Sequence, residues 1–398
     1  MVGFTDRFGH KRRINPKGNM RLFSFSLSVW LVQFTALAQA PTSTNRPAFT
    51  PPPNSPEVHA DRTVTFRVRA PKANEVTVSG EWPGGSKAMT RDEQGVWSVN
   101  VGPLEPDLYG YSFSIDGFRT ADPMNREVKP MRSPTTSILE VPGNPPRIWE
   151  FQDVPHGTVR LHTYQSKSLG RTRQLRVYTP PGYDKNGRRY PVLYLFHGSG
   201  DNEATWTALG RAHWILDNLI APGKARPMIL VMTDGHASSP QFAGIPTTNM
   251  ISRNVSDFER DLLGDVMSLV EANYRVRKDA ASRAIAGLSM GGGQSLTIGL
   301  NHTELFGWVG GFSSFVRDPQ NVLAKALANP EATNKKLKLL WIACGKDDRL
   351  MENAKQLDDL LTKRNLRHEF LETEGNHSWP VWRRYLADFA PLLFVDKK

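Results

Sequence analysis

The chain is predicted to hold two folds: a small all-β immunoglobulin-like sandwich, then an α/β domain built on a mostly parallel sheet. Three observations predict this. Its 398 residues exceed the roughly 250–300 that one hydrophobic core usually supports. Between Val58 and Val141 short alternating strand patterns follow one another without helices between them. From Gly157 onward, apolar runs alternate with amphipathic helical stretches, the pattern of a sheet covered on both faces.

The N-terminus comes first. Residues 1–40 carry six basic residues and one acid, and have the layout of a secretory signal. Arg21 precedes the apolar run Leu22 to Val32, and Ala36-Leu37-Ala38 follows as a small-x-small site. Cleavage is expected after Ala38 or Ala40, with Met20 as an alternative start. The apolar run is too short and serine-rich to span a bilayer, so no stable membrane anchor is expected. Export implies a secreted or periplasmic protein. The single cysteine, Cys344, cannot form an internal disulfide and reads as a small buried hydrophobe. The net charge of +11 owes +5 to these first 40 residues. What remains is spread out, without a basic stripe interleaved with aromatics, which argues against nucleic acid as a partner.

Residues 41–57 hold six prolines among Ser, Thr and Asn and read as an extended linker. The sandwich is expected over 58–141. Its strands include Val64–Arg69, Glu75–Gly80, Val96–Val101 and Tyr109–Ile115, the last closed by an Asp116-Gly117 turn. A second proline-rich stretch, 142–156, marks a boundary, and residues 157–398 form the α/β domain. Strands are expected at Gln174–Thr179, Pro191–Phe196, Met228–Met232, Ala284–Ala286, Trp308–Phe312, Leu339–Ala343 and His368–Glu372. Helices are expected over Asp257–Asn273 and Glu352–Asn365.

One stretch organises the α/β domain. Ala284 to Gly293 is an apolar run, then Gly287-Leu288-Ser289-Met290-Gly291, then a helical pattern. This is the strand, sharp turn and helix that hold a nucleophilic serine, and Gly287 and Gly291 allow the close approach it needs. Such a serine requires a base and a carboxylate further along. His377 lies in a loop after the last strand and before the final helix, where a base is needed. His302 and His368 fall on a helix and a strand, His59 and His156 outside the sheet, and His197 and His236 in loops better suited to other work. The acid should follow the strand Leu339–Ala343, where Asp347 and Asp348 both stand. His197-Gly198-Ser199-Gly200 ends an earlier strand and reads as the loop whose amides, from Gly198 or Ser199, join that of Met290 in an oxyanion hole. No spaced His/Cys cluster implies a metal, and no cofactor is implied. Asp257-Phe258-Glu259 reads as a helix start.

Residues 158–394 resemble the esterase D-type α/β-hydrolases, the group containing carbohydrate esterase family 1. The resemblance rests on Tyr190 to Leu195 leading into His197-Gly198, Leu216 to Ala221, Asn273 to Val276, Arg283 to Gly292 and Trp379 to Arg383. It implies the triad Ser289, Asp348 and His377, the acid being the aspartate of Gly345-Lys346-Asp347-Asp348-Arg349-Leu350. Ser199 departs from the pattern, where glycine or a more apolar residue is common. The sandwich resembles the early-set domains of carbohydrate-binding module family 48 through Ala70 to Ala73, Gly80-Glu81-Trp82, Gly95-Val96-Trp97, Tyr109-Gly110-Tyr111 and Asp122-Pro123. An exposed Trp82 stacking on a sugar is one reading of that domain; a purely structural role is the other.

The resemblances imply a serine ester hydrolase acting through an acyl-serine on feruloyl or acetyl esters of plant polysaccharide such as xylan. Trp206 and Trp379 are expected to wall a pocket for an aromatic acyl group or a sugar. A siderophore esterase and an acyltransferase are the alternatives. A glycan-binding protein with a dead hydrolase body is disfavoured because all three triad residue types are present. The expected partner is therefore an esterified carbohydrate or aromatic ester. Oligomeric state has no signature in the chain.

Overall fold

Every residue of the central strands of the α/β sheet is buried, and that is what makes them strands. Val192–Phe196, Ile229–Thr233, Arg283–Leu288, Trp308–Phe312 and Leu339–Gly345 have no exposed position. Successive side chains leave on opposite faces. Val192, Tyr194 and Phe196 enter one core with Ile285 and Phe258, while Leu193 and Leu195 enter the other with Ala284, Ala286 and Trp206. The computed structural model that shows this describes residues 52–237 and 248–395. The expected signal segment and most of the first linker lie outside the described residues.

The sheet has eight strands in the spatial order Thr158–Ser166, Arg171–Thr179, Ile229–Thr233, Val192–Phe196, Arg283–Leu288, Trp308–Phe312, Leu339–Gly345 and Glu369–Thr373. The first two join antiparallel, and the other six run parallel. Thr158–Ser166 is absent from the expected strands. It is a polar, largely exposed edge strand, and its pairing with Arg171–Thr179 rather than an apolar pattern holds it.

The helix expected from Asp257 begins earlier, as Thr248–Asp261, and continues through a π-helical turn, Leu262–Val266, into Met267–Asn273. Asp257 is therefore not a helix start. It sits in mid-helix, paired with Arg253 at 3.6 Å and Arg260 at 2.7 Å, the spacing at which helical neighbours meet.

The N-terminal domain is a sandwich of two antiparallel sheets. One holds Glu57–Val58, Val64–Arg69, Val96–Val101 and Thr90–Arg91 in spatial order. The other holds Ser86–Ala88, Val76–Gly80, Asp107–Ile115 and Phe118–Thr120, with Ser137–Val141 also on Asp107–Ile115. Their inner faces share a core of Phe66, Val78, Trp97, Tyr111 and Phe113. Trp82 belongs to that core. It is 4% exposed and stacks on Phe66 at 5.4 Å, so of its two readings the structure fits the packing one and not the exposed sugar platform. Burying so large a ring removes more apolar surface from water than any exposed orientation could.

The segment 142–156 lies against the α/β domain. Trp149 is buried there, and the Asn218 side chain donates to the carbonyls of Ile148 and Glu150, each at 2.8 Å. Buried polar contacts also cross from the sandwich. Arg383 of the last helix, fully buried, donates to Asp107 at 2.6 Å, and to the carbonyls of Leu209 at 2.7 Å and Leu108. The carboxyl of Glu81 accepts from the Trp379 amide at 2.9 Å and the Gly110 amide at 2.7 Å. Burial pushes its pKa up, against those two amides.

Candidate active site

Ser289 stands between strand Arg283–Leu288 and helix Met290–Asn301 with φ 51° and ψ −114°. An L-residue at positive φ is strained by about 1–3 kcal/mol and persists only where its surroundings hold it. Two backbone bonds do so: the Ser289 amide donates to Phe312 at 2.8 Å, and its carbonyl accepts from Gly293 at 3.0 Å. A Cβ on Gly287 would lie 2.5 Å from the Gly291 carbonyl oxygen, and one on Gly291 would strike the His197 carbonyl oxygen. Only glycine lets strand, turn and neighbouring loop come this close.

The structure brings Ser289, His377 and Asp348 together. His377 Nε2 lies 3.0 Å from Ser289 Oγ, and Nδ1 lies 2.9 and 2.8 Å from the two carboxylate oxygens of Asp348. The Asp348 side chain is wholly enclosed, and that of His377 is 15% exposed. Burial alone would raise the Asp348 pKa, but the hydrogen bonds from His377 and the Leu350 amide outweigh it and hold the carboxyl below its ordinary range. Asp347 is exposed, and its amide donates to Gly375. The two neighbouring aspartates thus differ completely in environment.

Gly198 and Ser199 flank Ser289. A Cβ on Gly198 would lie 3.4 Å from Ser289 Cβ, and Ser199 and Met290 line the same cavity as Ser289. The Met290 amide opens its helix and so has no partner within it. Two histidines hold the loop from behind. His197, 1% exposed, contacts the Gly198 carbonyl through Nδ1 at 2.7 Å, while its Nε2 receives the Gly235 amide at 2.9 Å. Nε2 also lies 3.3 Å from Asp234 Oδ1; a carbonyl can only accept, so the ring donates to Gly198 through Nδ1. His236 Nε2 accepts the Gly200 amide at 3.1 Å. Burial, and then the neighbouring His197, push its pKa down to about 4, so it stays neutral at pH 7.

The cavity in front of Ser289 has a volume of about 730 Å³, with Met250, Val255, Phe315 and Val316 on its apolar side. Trp206 and Trp379 do not line it, a correction to the expectation from sequence. Each is 1% exposed, and they pack edge to face at 5.0 Å in the core, with the Trp206 indole N–H donating to the Phe196 carbonyl. They belong to the core beneath the site. Sequence reasoning missed three exposed groups on the cavity lining, Arg132, Arg317 and Arg349. They lie in irregular segments, where periodicity gives no signal.

Cys344 is fully buried, with its thiol pushed up to about 12 mainly by burial. Among the described residues, no group of three or more His, Cys, Asp or Glu could hold a metal, and no helix is long and apolar enough to cross a membrane.

Comparison with known proteins follows this geometry. A model of the Esterase family matches residues 166–393, and one of carbohydrate-binding module 48, the isoamylase N-terminal domain, matches residues 55–127. An endo-1,4-beta-xylanase/feruloyl esterase of Xylanibacter ruminicola is 33% identical over 347 residues, covering 85% of this chain and 46% of that protein. An esterase of Mycobacterium tuberculosis is 33% identical over 159 residues, 39% of this chain and 29% of that one. The chain therefore spans about half the length, or less, of these curated relatives.

Among solved structures, a CE1 ferulic acid esterase of Anaeromyces mucronatus is 26% identical with TM-score 0.54, covering 62% of this chain and 93% of its own. An enterobactin esterase of Shigella flexneri reaches TM-score 0.60 over 82% of this chain and 92% of its own, but at 20% identity the likeness speaks to fold alone. An all-β domain of the module 48 type followed by an α/β-hydrolase fold, with the family match over the second, leads to one conclusion: the chain belongs to the esterase family.

Proposed function

We propose that the chain hydrolyses carboxylic esters carried on polysaccharide, and that its preferred reaction removes feruloyl or acetyl groups from a plant glycan such as xylan. One observation carries the reading: a strained serine, an imidazole and an enclosed carboxylate in sequence at 3.0 and 2.8 Å, opening on a cavity of about 730 Å³. In the first half-reaction Ser289 Oγ attacks the ester carbonyl while His377 Nε2 takes its proton. Asp348 holds the Nδ1–H and stabilises the imidazolium. The oxyanion is bound by the Met290 amide and by that of Gly198 or Ser199. His377 then protonates the departing alkoxide, leaving an acyl-serine. Water, deprotonated by the same imidazole, attacks the acyl-serine and frees the acid.

The loop histidines fit this scheme as positioning residues. Because the Gly198–Ser199 peptide is trans, tying the Gly198 carbonyl to His197 sends the Ser199 N–H the opposite way. Each oxyanion donor is worth about 2.7–4 kcal/mol in the transition state.

The polysaccharide assignment draws on the xylanase/feruloyl esterase relative and on the ferulic acid esterase structure. Export through the segment 1–40 is part of the same proposal and would bring the protein to such a polymer. A fluorophosphonate probe should label Ser289 in the wild type and fail in Ser289→Ala. Rates on methyl ferulate, acetylated xylan and a catecholate triester rank the substrates. A faster rate on the catecholate triester than on either plant ester would overturn the polysaccharide assignment.

A further inference from the structure

Three arginines line the cavity that holds Ser289, and they come from three distant parts of the chain. Arg132 lies within the sandwich domain, in the irregular segment between its strands Phe118–Thr120 and Ser137–Val141. Arg317 follows the strand Trp308–Phe312, and Arg349 stands next to the triad acid. All three are exposed, and among the described residues none has a carboxylate or other hydrogen-bonding partner for its guanidinium. Among the described residues, the one carboxylate on the cavity lining is that of Glu259, and it is occupied by His302 Nε2 at 2.5 Å. The lining thus combines three exposed cations with the apolar side chains of Met250, Val255, Phe315 and Val316.

Arg132 is also held at a fixed place by its backbone. Its amide donates to the Gly200 carbonyl at 2.9 Å, and Met131 bridges Asp201. The Thr205 hydroxyl donates to the Pro130 carbonyl at 2.6 Å, and Lys129 pairs with Asp201 at 2.7 Å. These bonds fasten the segment to the oxyanion loop itself. An arginine so anchored presents a planar fork of donors suited to a carboxylate.

We propose that this site selects esters borne on an acidic glycan, with Arg132, Arg317 and Arg349 binding a uronate carboxylate near the scissile bond while the apolar interior takes the acyl group. The inference rests on the esterase reading above and adds the charge of the substrate to it. Sites built to bind a charged group discriminate against partners that lack it, and such a preference weakens as salt screens exposed charges.

The test uses the full chain and two feruloylated xylo-oligosaccharides that differ only in a glucuronate substituent, with methyl ferulate and a catecholate triester alongside. The readout is the ratio of kcat/KM between the glucuronate-bearing and neutral oligosaccharides. We expect a ratio of about 10 or more in the wild type, carried mainly by KM, which falls severalfold in Arg132→Gln and approaches unity in Arg132→Gln/Arg317→Gln/Arg349→Gln. Raising the salt should lower it in the wild type and leave the triple variant unmoved. A ratio near unity in the wild type, or one the substitutions do not change, would overturn the inference while methyl ferulate turnover keeps the esterase reading intact. If folded protein hydrolyses none of the esters, the esterase reading fails and takes this one with it. Turnover that depends on the arginines only for the catecholate triester would overturn the uronate assignment.

Discussion

The two domains put buried polar side chains to different uses. In the α/β domain Asp348 and His377 are withdrawn from water and lie in hydrogen-bonding line with Ser289. In the sandwich Asp107 is buried and Glu81 half-buried, yet both reach toward the other domain. Glu81 takes the Trp379 amide, two residues beyond His377, and Asp107 takes Arg383, one turn further along the same helix. The sandwich therefore buttresses the helix that begins beside the base. Its family resemblance is to a sugar-binding module, but its signature aromatics, Trp82, Trp97, Tyr109 and Tyr111, are all in the core. A motif that marks a fold and a motif that marks a site look alike in a sequence. Only burial tells them apart.

Substitutions should separate reacting groups from buttressing ones. Ser289→Ala should lower kcat by about 10⁶ if the triad acts as a unit, with the melting temperature unchanged; retained hydrolysis within tenfold of wild type would remove Ser289 from the mechanism. Asp348→Asn should lower kcat by about 10⁴, because the wrong imidazole tautomer is then held. It also carries a pH signature. The Asp348 pKa is lowered from an ordinary 3.8, so its contribution to stability is present above that value and is lost as the pH falls through the lower folded value. The stability gap between wild type and Asp348→Asn, followed by thermal unfolding across acid pH, should close in that window. A gap that stayed constant would argue against an ionised carboxylate in the fold.

On the buttressing side the losses should be of stability. Asp107→Ala leaves Arg383 buried without its counter-charge and should cost about 3–5 kcal/mol in denaturant unfolding. Trp82→Ala should cost a similar 3–5 kcal/mol by opening a cavity in the sandwich core. It should leave the binding of xylo-oligosaccharide to Ser289→Ala protein unaltered, measured by calorimetry. Lost glycan affinity with full stability would return Trp82 to the role its motif suggests.

Much of the fold was legible because it is local. Alternation marks the sandwich strands, and fully apolar runs mark the buried parallel strands. The polar edge strand Thr158–Ser166 was not legible, since what holds it is its neighbour's backbone. The start of the helix at Thr248 was not legible because Asp257, an acid of the kind that usually opens a helix, here pairs with Arg253 and Arg260 inside it. At the site, Ser289 and His377 stand out through their neighbours in sequence. The residues alone left Asp347 and Asp348 open, and only the resemblance chose between them.

The amino-acid sequence by itself determined that a strained serine turn and a late histidine loop exist, because glycine spacing and apolar periodicity act over a few residues. Tertiary structure decided that Trp82, Trp206 and Trp379 are packing residues, that Glu81 and Asp107 brace the other domain, and that Arg132, Arg317 and Arg349 share one cavity. Burial and the meeting of side chains distant in the chain are properties of the closed fold, and no local pattern encodes them.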